Sequence, residues 1–272
     1  MVTQEQRKRQ LAREKFLRQQ QRRTSARRKA RMRNSVIASV LGVVVIGSVA
    51  LYTTGVLKDD DKKAAASSQT SPSAAPSAAK DPCEKPAAGS VKTQTWKKEP
   101  AVAIDESAKY TMTLSTTCGD IGIALKAKAA PHTVNSFSFL AGKGFFDHTK
   151  CHRLTTNGIY VLQCGDPTGS GSGGPGYTIP DENLKDASLK ANVYPAGTVA
   201  MANTGQAHTG GSQFFLVYQD SQLPPSYTPF GTLTADGMKV LKKIAAAGEN
   251  SGAGDGAPNA TVVINKATVT KS

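Results

Sequence analysis

Apolar and polar positions divide the 272-residue chain into segments of very different character. Residues 1–35 are dominated by Arg, Gln and Lys, whereas residues 36–57 form an apolar run without a single charged side chain. At about 1.5 Å per residue, a helix over this run would span roughly 33 Å, close to the thickness of a bilayer's hydrocarbon core. The pattern therefore predicts a transmembrane helix over residues 36–57 that acts as a signal anchor.

Charges on the two sides of this run predict its orientation. Residues 1–35 hold 13 of the 34 basic side chains and 2 of the 20 acidic ones, and Lys58-Asp59-Asp60-Asp61 follows the run. By the positive-inside rule, residues 1–35 form a cytoplasmic tail of a single-pass protein in the cell membrane, and the remainder is extracytoplasmic. A cleaved signal peptide is the alternative, because Ser48-Val49-Ala50 could serve as its cleavage site. Contact of the tail with lipid headgroups is favoured over a nucleic-acid partner.

The next two segments are predicted to be a flexible linker and one folded domain. Residues 58–100 are rich in Ala, Ser, Pro and Lys and bury too little apolar surface to order themselves. Within residues 101–272, Tyr110–Ser115 and Ile121–Leu125 read as a hairpin, and 131–141 and 235–247 read as helices. Further strands are predicted over 151–156, 160–164, 197–202, 213–218 and 261–268. Many strands and two helices indicate a mainly-β domain, an antiparallel barrel with helices over its ends.

The cysteine count and the absence of several motifs limit the kinds of chemistry this chain could perform. The four cysteines all follow residue 80; an even number suits disulfides in an oxidising compartment, although four buried thiols would look the same. The chain has no phosphate-binding Gly-x-x-x-x-Gly-Lys loop and no Gly-x-Ser-x-Gly elbow. Its four histidines lack metal-ligand spacing, so neither a metal nor a cofactor is expected. The glycine-rich run 169–176 lacks a strand–loop–helix setting and is predicted to be a surface loop.

Three stretches of the domain carry the chemically informative residues. The first, 151–166, holds His-Arg followed by Gln-x-Gly-Asp; the second, 201–216, holds Met-Ala-Asn and Gly-Ser-Gln-Phe-Phe; the third, 223–231, ends in Phe-Gly. In this order they resemble the signature stretches of the cyclophilin family of peptidyl-prolyl cis/trans isomerases, over about Lys109 to Lys271. The chain is thus similar to a bacterial, membrane-anchored cyclophilin.

The resemblance implies an eight-stranded antiparallel barrel capped by two helices and catalysis at X-Pro bonds without a cofactor. Its substrates would be proline-containing segments of exported or cell-surface proteins, and the catalytic domain would be monomeric. Arg153 resembles the family's catalytic arginine. The substrate-binding residues implied by position are Tyr160, Val161, Gln163, Ala202, Asn203, Gln213, Phe215, Leu223 and Tyr227.

This chain also departs from the family pattern. Two extra residues separate Arg153 from Gln163, and one extra residue lies between Asn203 and Gln213. Leu223 and Tyr227 stand near positions that the family often fills with Trp and His. None of these changes removes the arginine or the apolar residues beside it, so activity is still expected.

These residue types suit a reaction in which no bond is broken. Rotation about an X-Pro amide faces a barrier of roughly 18–20 kcal/mol, and a catalyst must bind the twisted amide better than either planar form. A permanently charged guanidinium can do so, and Val161, Phe215, Leu223 and Tyr160 can supply an apolar pocket for the ring. Gln163 and Asn203 are expected to bind the peptide backbone. A binding module that holds proline-containing partners without turnover is the rival function, and a scaffold that uses the basic tail is a third.

The register of the strand pair around Asn157-Gly158 has two solutions. A two-residue turn places Cys151 directly opposite Cys164 but sets Arg153 opposite Leu162. A three-residue connection over 157–159 pairs Arg153 with Gln163, as cyclophilin-like catalysis requires, and leaves Cys164 one step from Cys151. We favour the second register, with disulfides Cys151–Cys164 and Cys83–Cys118.

Overall fold

The structure is a computed structural model, and it describes residues 81–272. Twelve strands and two helices follow one another in this part of the chain. The strands are β1 (Tyr110–Thr116), β2 (Gly119–Leu125), β3 (Thr149–Lys150), β4 (Arg153–Thr155), β5 (Val161–Cys164), β6 (Val193–Tyr194), β7 (Thr198–Met201), β8 (Phe214–Val217), β9 (Ser221–Gln222), β10 (Pro229–Leu233), β11 (Asp255–Gly256) and β12 (Val263–Lys271). The helices are α1 (Pro131–Gly142) and α2 (Ala235–Ala246), and a short 3-10 turn covers Lys190–Asn192.

One antiparallel sheet dominates these residues. Ten strands pair in the order β11-β4-β5-β8-β7-β10-β2-β1-β12-β3, and β6 pairs with β9 in a separate ribbon. The predicted hairpin is confirmed: β1 and β2 pair with Met112 opposite Ile123. Both of these side chains are completely buried, because alternate residues of a strand face the same side and their apolar set faces the core.

Both predicted helices are present, and each begins where the sequence supplies a start. Helix α1 has Pro131 in its first turn, and the Glu182 carboxylate accepts the backbone N–H groups of His132 and Thr133, which have no partner inside the helix. Helix α2 is capped by the Thr234 hydroxyl, which accepts the N–H of Gly237 at 3.1 Å.

The strand count differs from the predicted eight. The strand predicted over 151–156 is shorter, as β4 (Arg153–Thr155), and an unpredicted β3 (Thr149–Lys150) precedes it. The chain changes partner between them: Cys151 N–H donates to Val262 O, and His152 N–H donates to Gln163 O. This segment therefore appears as β3 on β12 and β4 on β5, although two residues separate them. Three two-residue strands, β6, β9 and β11, add to the count. Since β3 and β4 lie near opposite ends of the strand order, the sheet must curl back on itself.

Residues 81–103, here called the strap, differ from the flexible linker predicted up to residue 100. Cys83 is bonded to Cys118 at the β1–β2 turn, and the Trp96 ring packs on Phe139 at a centroid distance of 5.1 Å. Trp96 N–H also donates to Pro175 O at 2.8 Å. One bridge and one aromatic anchor thus hold a segment whose average composition indicates disorder.

The predicted cytoplasmic tail (1–35), transmembrane helix (36–57) and first part of the linker lie outside the described residues. Within 81–272, neither helix has the length and apolar character needed to cross a membrane.

Both favoured disulfides are present. Cys151 and Cys164 are bonded with their Cα atoms 4.0 Å apart, and Arg153 lies opposite Gln163 in the β4–β5 pair. The register with a three-residue connection is therefore confirmed.

The Cys83–Cys118 bridge is expected to stabilise the fold, because it ties the strap to a point 35 residues away in the chain. Replacing both cysteines by serine should lower the free energy of unfolding by about 3–4 kcal/mol through a freer unfolded state. Denaturant unfolding followed by circular dichroism measures this loss. A change below about 0.5 kcal/mol would show that the bridge does not restrain the unfolded chain.

Candidate functional site

The site is built on a row of residues that runs across the sheet. Arg153 on β4 lies opposite Gln163 on β5, Gln163 lies opposite Phe215 on β8, and Phe215 lies opposite Ala200 on β7. Residues directly opposite on antiparallel strands project to the same face. Strand pairing alone thus brings a guanidinium, an amide and a phenyl ring together.

Hydrogen bonds link the polar side chains of this row. Arg153 Nη1 donates to Gln163 Oε1 at 3.1 Å, and Gln163 Nε2 donates to Gln213 Oε1 at 2.9 Å. Gln213 Nε2 in turn donates to Gly173 O at 2.9 Å. Each amide has its oxygen and nitrogen assigned by its neighbours, so the chain of bonds fixes the direction in which Gln163 faces Arg153.

Asp255 is part of the site, and no sequence pattern identified it. Arg153 Nε donates to Asp255 Oδ1 at 2.7 Å, and Nη2 donates to Asp255 Oδ2 at 2.8 Å. The hydrogen bond to Arg153 lowers the pKa of the Asp255 carboxyl, and the same bond raises the pKa of Arg153. Because 102 residues separate the two, only the tertiary fold could bring them together.

A pocket of about 210 Å³ with apolar side chains on one side and polar ones on the other opens beside the guanidinium. Phe215 forms its floor with 5% of its surface exposed, and the Tyr227 ring meets Phe215 edge-on at a centroid distance of 5.4 Å. The size and lining suit a single small ring. The lining residues are Arg153, Ile159, Val161, Gln163, Ala202, Asn203, Phe215, Leu223 and Tyr227.

Tyr194 is hydrogen-bonded to the segment 223–227, which forms one side of this pocket. Its hydroxyl donates to Tyr227 O at 2.8 Å and accepts from Tyr227 N–H at 3.1 Å. Burial raises the pKa of Tyr194 to about 12, so the hydroxyl remains a donor at neutral pH. Leu223, in the same segment, is tied by its N–H to Asn192 O at 2.9 Å.

Eight of the ten predicted site residues line the small pocket, and Gln213 lines an adjoining groove of about 800 Å³ that shares Gln163, Ala202 and Asn203 with it. Tyr160 differs from the prediction. Its ring packs on Tyr218 at 5.8 Å, and Ile159 lines the pocket instead. Residues 159 and 161 lie on one face and residue 160 on the other, as strict alternation along the strand would have indicated.

Asn203 lines the pocket, but its side chain is engaged within the protein. Nδ2 donates to Ser226 O at 2.8 Å, and Oδ1 accepts from Gly205 N–H at 3.0 Å. The side chain therefore joins two loops at the rim of the pocket. These two bonds use one of the two Nδ2 hydrogens and one lone pair of Oδ1, so the amide keeps one donor and one acceptor for a peptide.

The glycine-rich run forms a wall of the adjoining groove and is organised around one buried carboxylate. Asp166 accepts the backbone N–H groups of Thr168, Gly171 and Ser172 at 2.7, 2.6 and 3.0 Å. In a phosphate loop such amides would face the ligand; here they face a side chain of the same chain. A surface loop, as predicted, is what the structure contains. Across residues 81–272, no group of three His, Cys, Asp or Glu side chains is placed to hold a metal ion.

Comparison with known proteins agrees with this geometry. Residues 111–269 match the family described as cyclophilin type peptidyl-prolyl cis-trans isomerase/CLD. The chain belongs to the cyclophilin family. The sheet with two helices is accordingly a cyclophilin-like half-barrel, and the site lies on the stretch that carries the family signature.

Several bacterial proteins are similar to this cyclophilin. It is 49% identical over 201 residues to the probable peptidyl-prolyl cis-trans isomerase B of Mycobacterium leprae, covering 71% of this chain and 63% of that protein. It is 50% identical over 167 residues to the protein of the same name in Mycobacterium tuberculosis, covering 58% of this chain and 54% of that protein. The matches thus span between about half and two thirds of these two relatives.

A solved structure is also similar. The cyclophilin type peptidyl-prolyl cis-trans isomerase of Cryptosporidium parvum aligns with a TM-score of 0.50 and 26% sequence identity, covering 60% of this chain and 99% of that one. This likeness supports the fold of the domain.

Tyr194→Phe tests how firmly the pocket segment is held. The change removes two hydrogen bonds to Tyr227 and leaves a donor and an acceptor without their partner, so it should cost about 1–3 kcal/mol of unfolding free energy. Tyr160→Phe is the matched control, since it removes the hydroxyl of a partly buried tyrosine whose ring packs on Tyr218 instead, and it should cost less than about 0.5 kcal/mol. Equal losses in denaturant unfolding would contradict the proposed hold of Tyr194 on this segment.

Proposed function

We propose that this chain is a peptidyl-prolyl cis/trans isomerase that accelerates rotation about X-Pro bonds, with Arg153 stabilising the twisted amide. The observation that carries this proposal is a guanidinium fixed on two sides at the mouth of an apolar pocket for one ring. The family of the chain and the names of its relatives support the same activity.

The geometry suits the electronic demands of the reaction. When the amide twists, resonance is lost and the lone pair returns to the prolyl nitrogen, which becomes a hydrogen-bond acceptor. A guanidinium has five N–H donors, and Arg153 uses three of them on Asp255 and Gln163. Two donors remain for the carbonyl oxygen or the nitrogen of the substrate. A donor that binds more strongly to the twisted amide than to the planar one lowers the barrier.

The pocket supplies the second requirement, which is to hold one side of the rotating bond. Phe215, Val161 and Leu223 offer apolar walls to the proline ring, and burial of such a ring is favourable at roughly 25 cal/mol per Å² of apolar surface. With the ring held, the residue before proline can turn relative to it. No proton transfer and no cofactor is needed for this step.

Arg153→Ala tests the proposal directly. In a coupled-protease assay of an X-Pro peptide with the full-length protein, the variant should lose about 10²-fold in kcat/KM, because a preorganised donor to the transition state is removed. Lys239→Ala is the control: it also removes a positive charge, but from an exposed ion pair on α2, and should leave kcat/KM unchanged. Wild-type protein at the uncatalysed rate would contradict the proposal. A variant that binds the peptide but still turns it over normally would contradict the role of Arg153.

We also propose that the domain works outside the cytoplasm on exported or cell-surface proteins. All four cysteines of the chain are bonded in pairs, and such bridges persist in oxidising compartments. The sequence-predicted signal anchor would place the domain there.

Alkylation of the cysteines in intact cells tests this location. Cells are quenched in acid, and the thiols are modified with a polymer-linked maleimide that shifts the protein on a gel, with or without prior reduction. An extracytoplasmic domain should show no modification before reduction and four after it. Four modifications without reduction would place the domain in a reducing compartment and reject this location.

A further inference from the structure

Asp255 holds the guanidinium along one complete edge. Its two carboxylate oxygens accept Nε–H and Nη2–H of Arg153 at 2.7 and 2.8 Å. We infer that Asp255 is the positioning residue of Arg153 and sets the orientation in which the free donors of the guanidinium meet the substrate. This inference rests on the proposed isomerase activity.

A single hydrogen bond could not fix the guanidinium. The bond from Nη1 to Gln163 leaves the planar group free to turn about that contact, and 37% of the Arg153 side chain is exposed to solvent. Two parallel bonds to one carboxylate define both the position and the plane of the fork. With Asp255 on one edge and Gln163 on the other, only two N–H donors are left uncommitted.

The segment 249–256 is built to present this carboxylate. β11 pairs with β4 so that Asp255 lies opposite Thr155, and Gly254 O accepts Thr156 N–H at 2.9 Å. The Glu249 carboxylate in turn accepts Gly254 N–H at 2.9 Å. β11 is therefore paired with β4, the strand that carries Arg153.

Backbone packing shows how closely this segment fits. A Cβ added at Gly254, whose φ is +85°, would lie 2.5 Å from Asn157 Cβ, and one added at Gly256 would lie 2.3 Å from Glu249 Oε2. A side chain at residue 254 would push the segment away from Asn157, which follows β4, and one at residue 256 would displace the Glu249 carboxylate within the segment. Asp255 is thus flanked by two glycines at which a larger residue would disturb its surroundings.

A plain surface ion pair is the competing explanation, and it predicts a different result. Asp255 has 55% of its side chain exposed, and exposed pairs add little to stability. If the pair were only a surface contact, its loss would change neither stability nor turnover appreciably. If it positions Arg153, turnover should fall while stability stays close to that of wild type.

A double-mutant cycle in the full-length protein separates these cases. Asp255→Ala should lower kcat/KM about 10- to 100-fold, mainly through kcat, since a misplaced donor weakens transition-state binding. Asp255→Asn keeps the shape but turns an N–H₂ donor or a single oxygen toward the fork, and should show an intermediate loss. In the Arg153→Ala background, Asp255→Ala should change kcat/KM less than twofold, because there is no longer a guanidinium to position.

Asp236→Ala serves as the matched control, because it removes an exposed carboxylate that also pairs with a basic side chain, Lys239. Its kcat/KM should equal that of wild type. Melting temperatures of all variants should agree within a few degrees, so that losses of turnover cannot be ascribed to unfolding; where Asp255→Ala melts early, the isosteric Asp255→Asn decides.

The outcomes are distinguishable. Wild-type protein at the uncatalysed rate would overturn the proposed function and this inference with it. Active wild type together with unchanged kcat/KM in both Asp255 variants would overturn this inference alone. The same follows if Asp255→Ala causes equal losses with and without Arg153, since Asp255 would then act independently of the arginine.

Discussion

The pairing of β4 with β5 is the constraint on which the site depends. It sets Arg153 opposite Gln163, and the next pairing sets Gln163 opposite Phe215. Since side chains alternate along a strand, a shift by one residue would turn Arg153 away from both partners. The Cys151–Cys164 bond joins the residue two positions before Arg153 to the last residue of β5, so the covalent link and the hydrogen-bonded register support each other.

Apolar contacts and hydrogen bonds occupy different sides of this row. The apolar side is built from Val161, Phe215 and Leu223, whose side chains offer contact surface without directional bonds. The polar side is a chain of hydrogen bonds that runs from Asp255 through Arg153 and Gln163 to Gln213. Such a chain orders its members cooperatively in a partly buried setting. The proposed reaction needs both parts, because one would hold the ring and the other would meet the altered carbonyl and nitrogen.

Sequence patterns predicted those parts of the site that lie on regular strands or within the signature stretches. The alternation of apolar residues and the turn residues predicted the first hairpin. The family resemblance, which requires Arg153 and Gln163 to lie together, predicted the correct register and the disulfide beside it. The same alternation, applied strictly, would have replaced Tyr160 by Ile159 in the pocket. Asp255 could not be found in this way, because it belongs to a two-residue strand whose only signal is tertiary. The strap was missed because the average composition of residues 58–100 conceals the two anchors, Cys83 and Trp96.

In the proposed reaction, a proline ring enters the pocket at Phe215 while the amide before it faces Arg153. A crystal structure of the protein with a short X-Pro peptide measures this most directly. We expect the ring within van der Waals contact of Phe215 and Leu223, and a substrate carbonyl oxygen or prolyl nitrogen within about 3 Å of a free Arg153 nitrogen. A peptide whose proline lies elsewhere, for example on the Tyr160–Tyr218 pair, with the guanidinium bound only to Asp255 and Gln163, would contradict it.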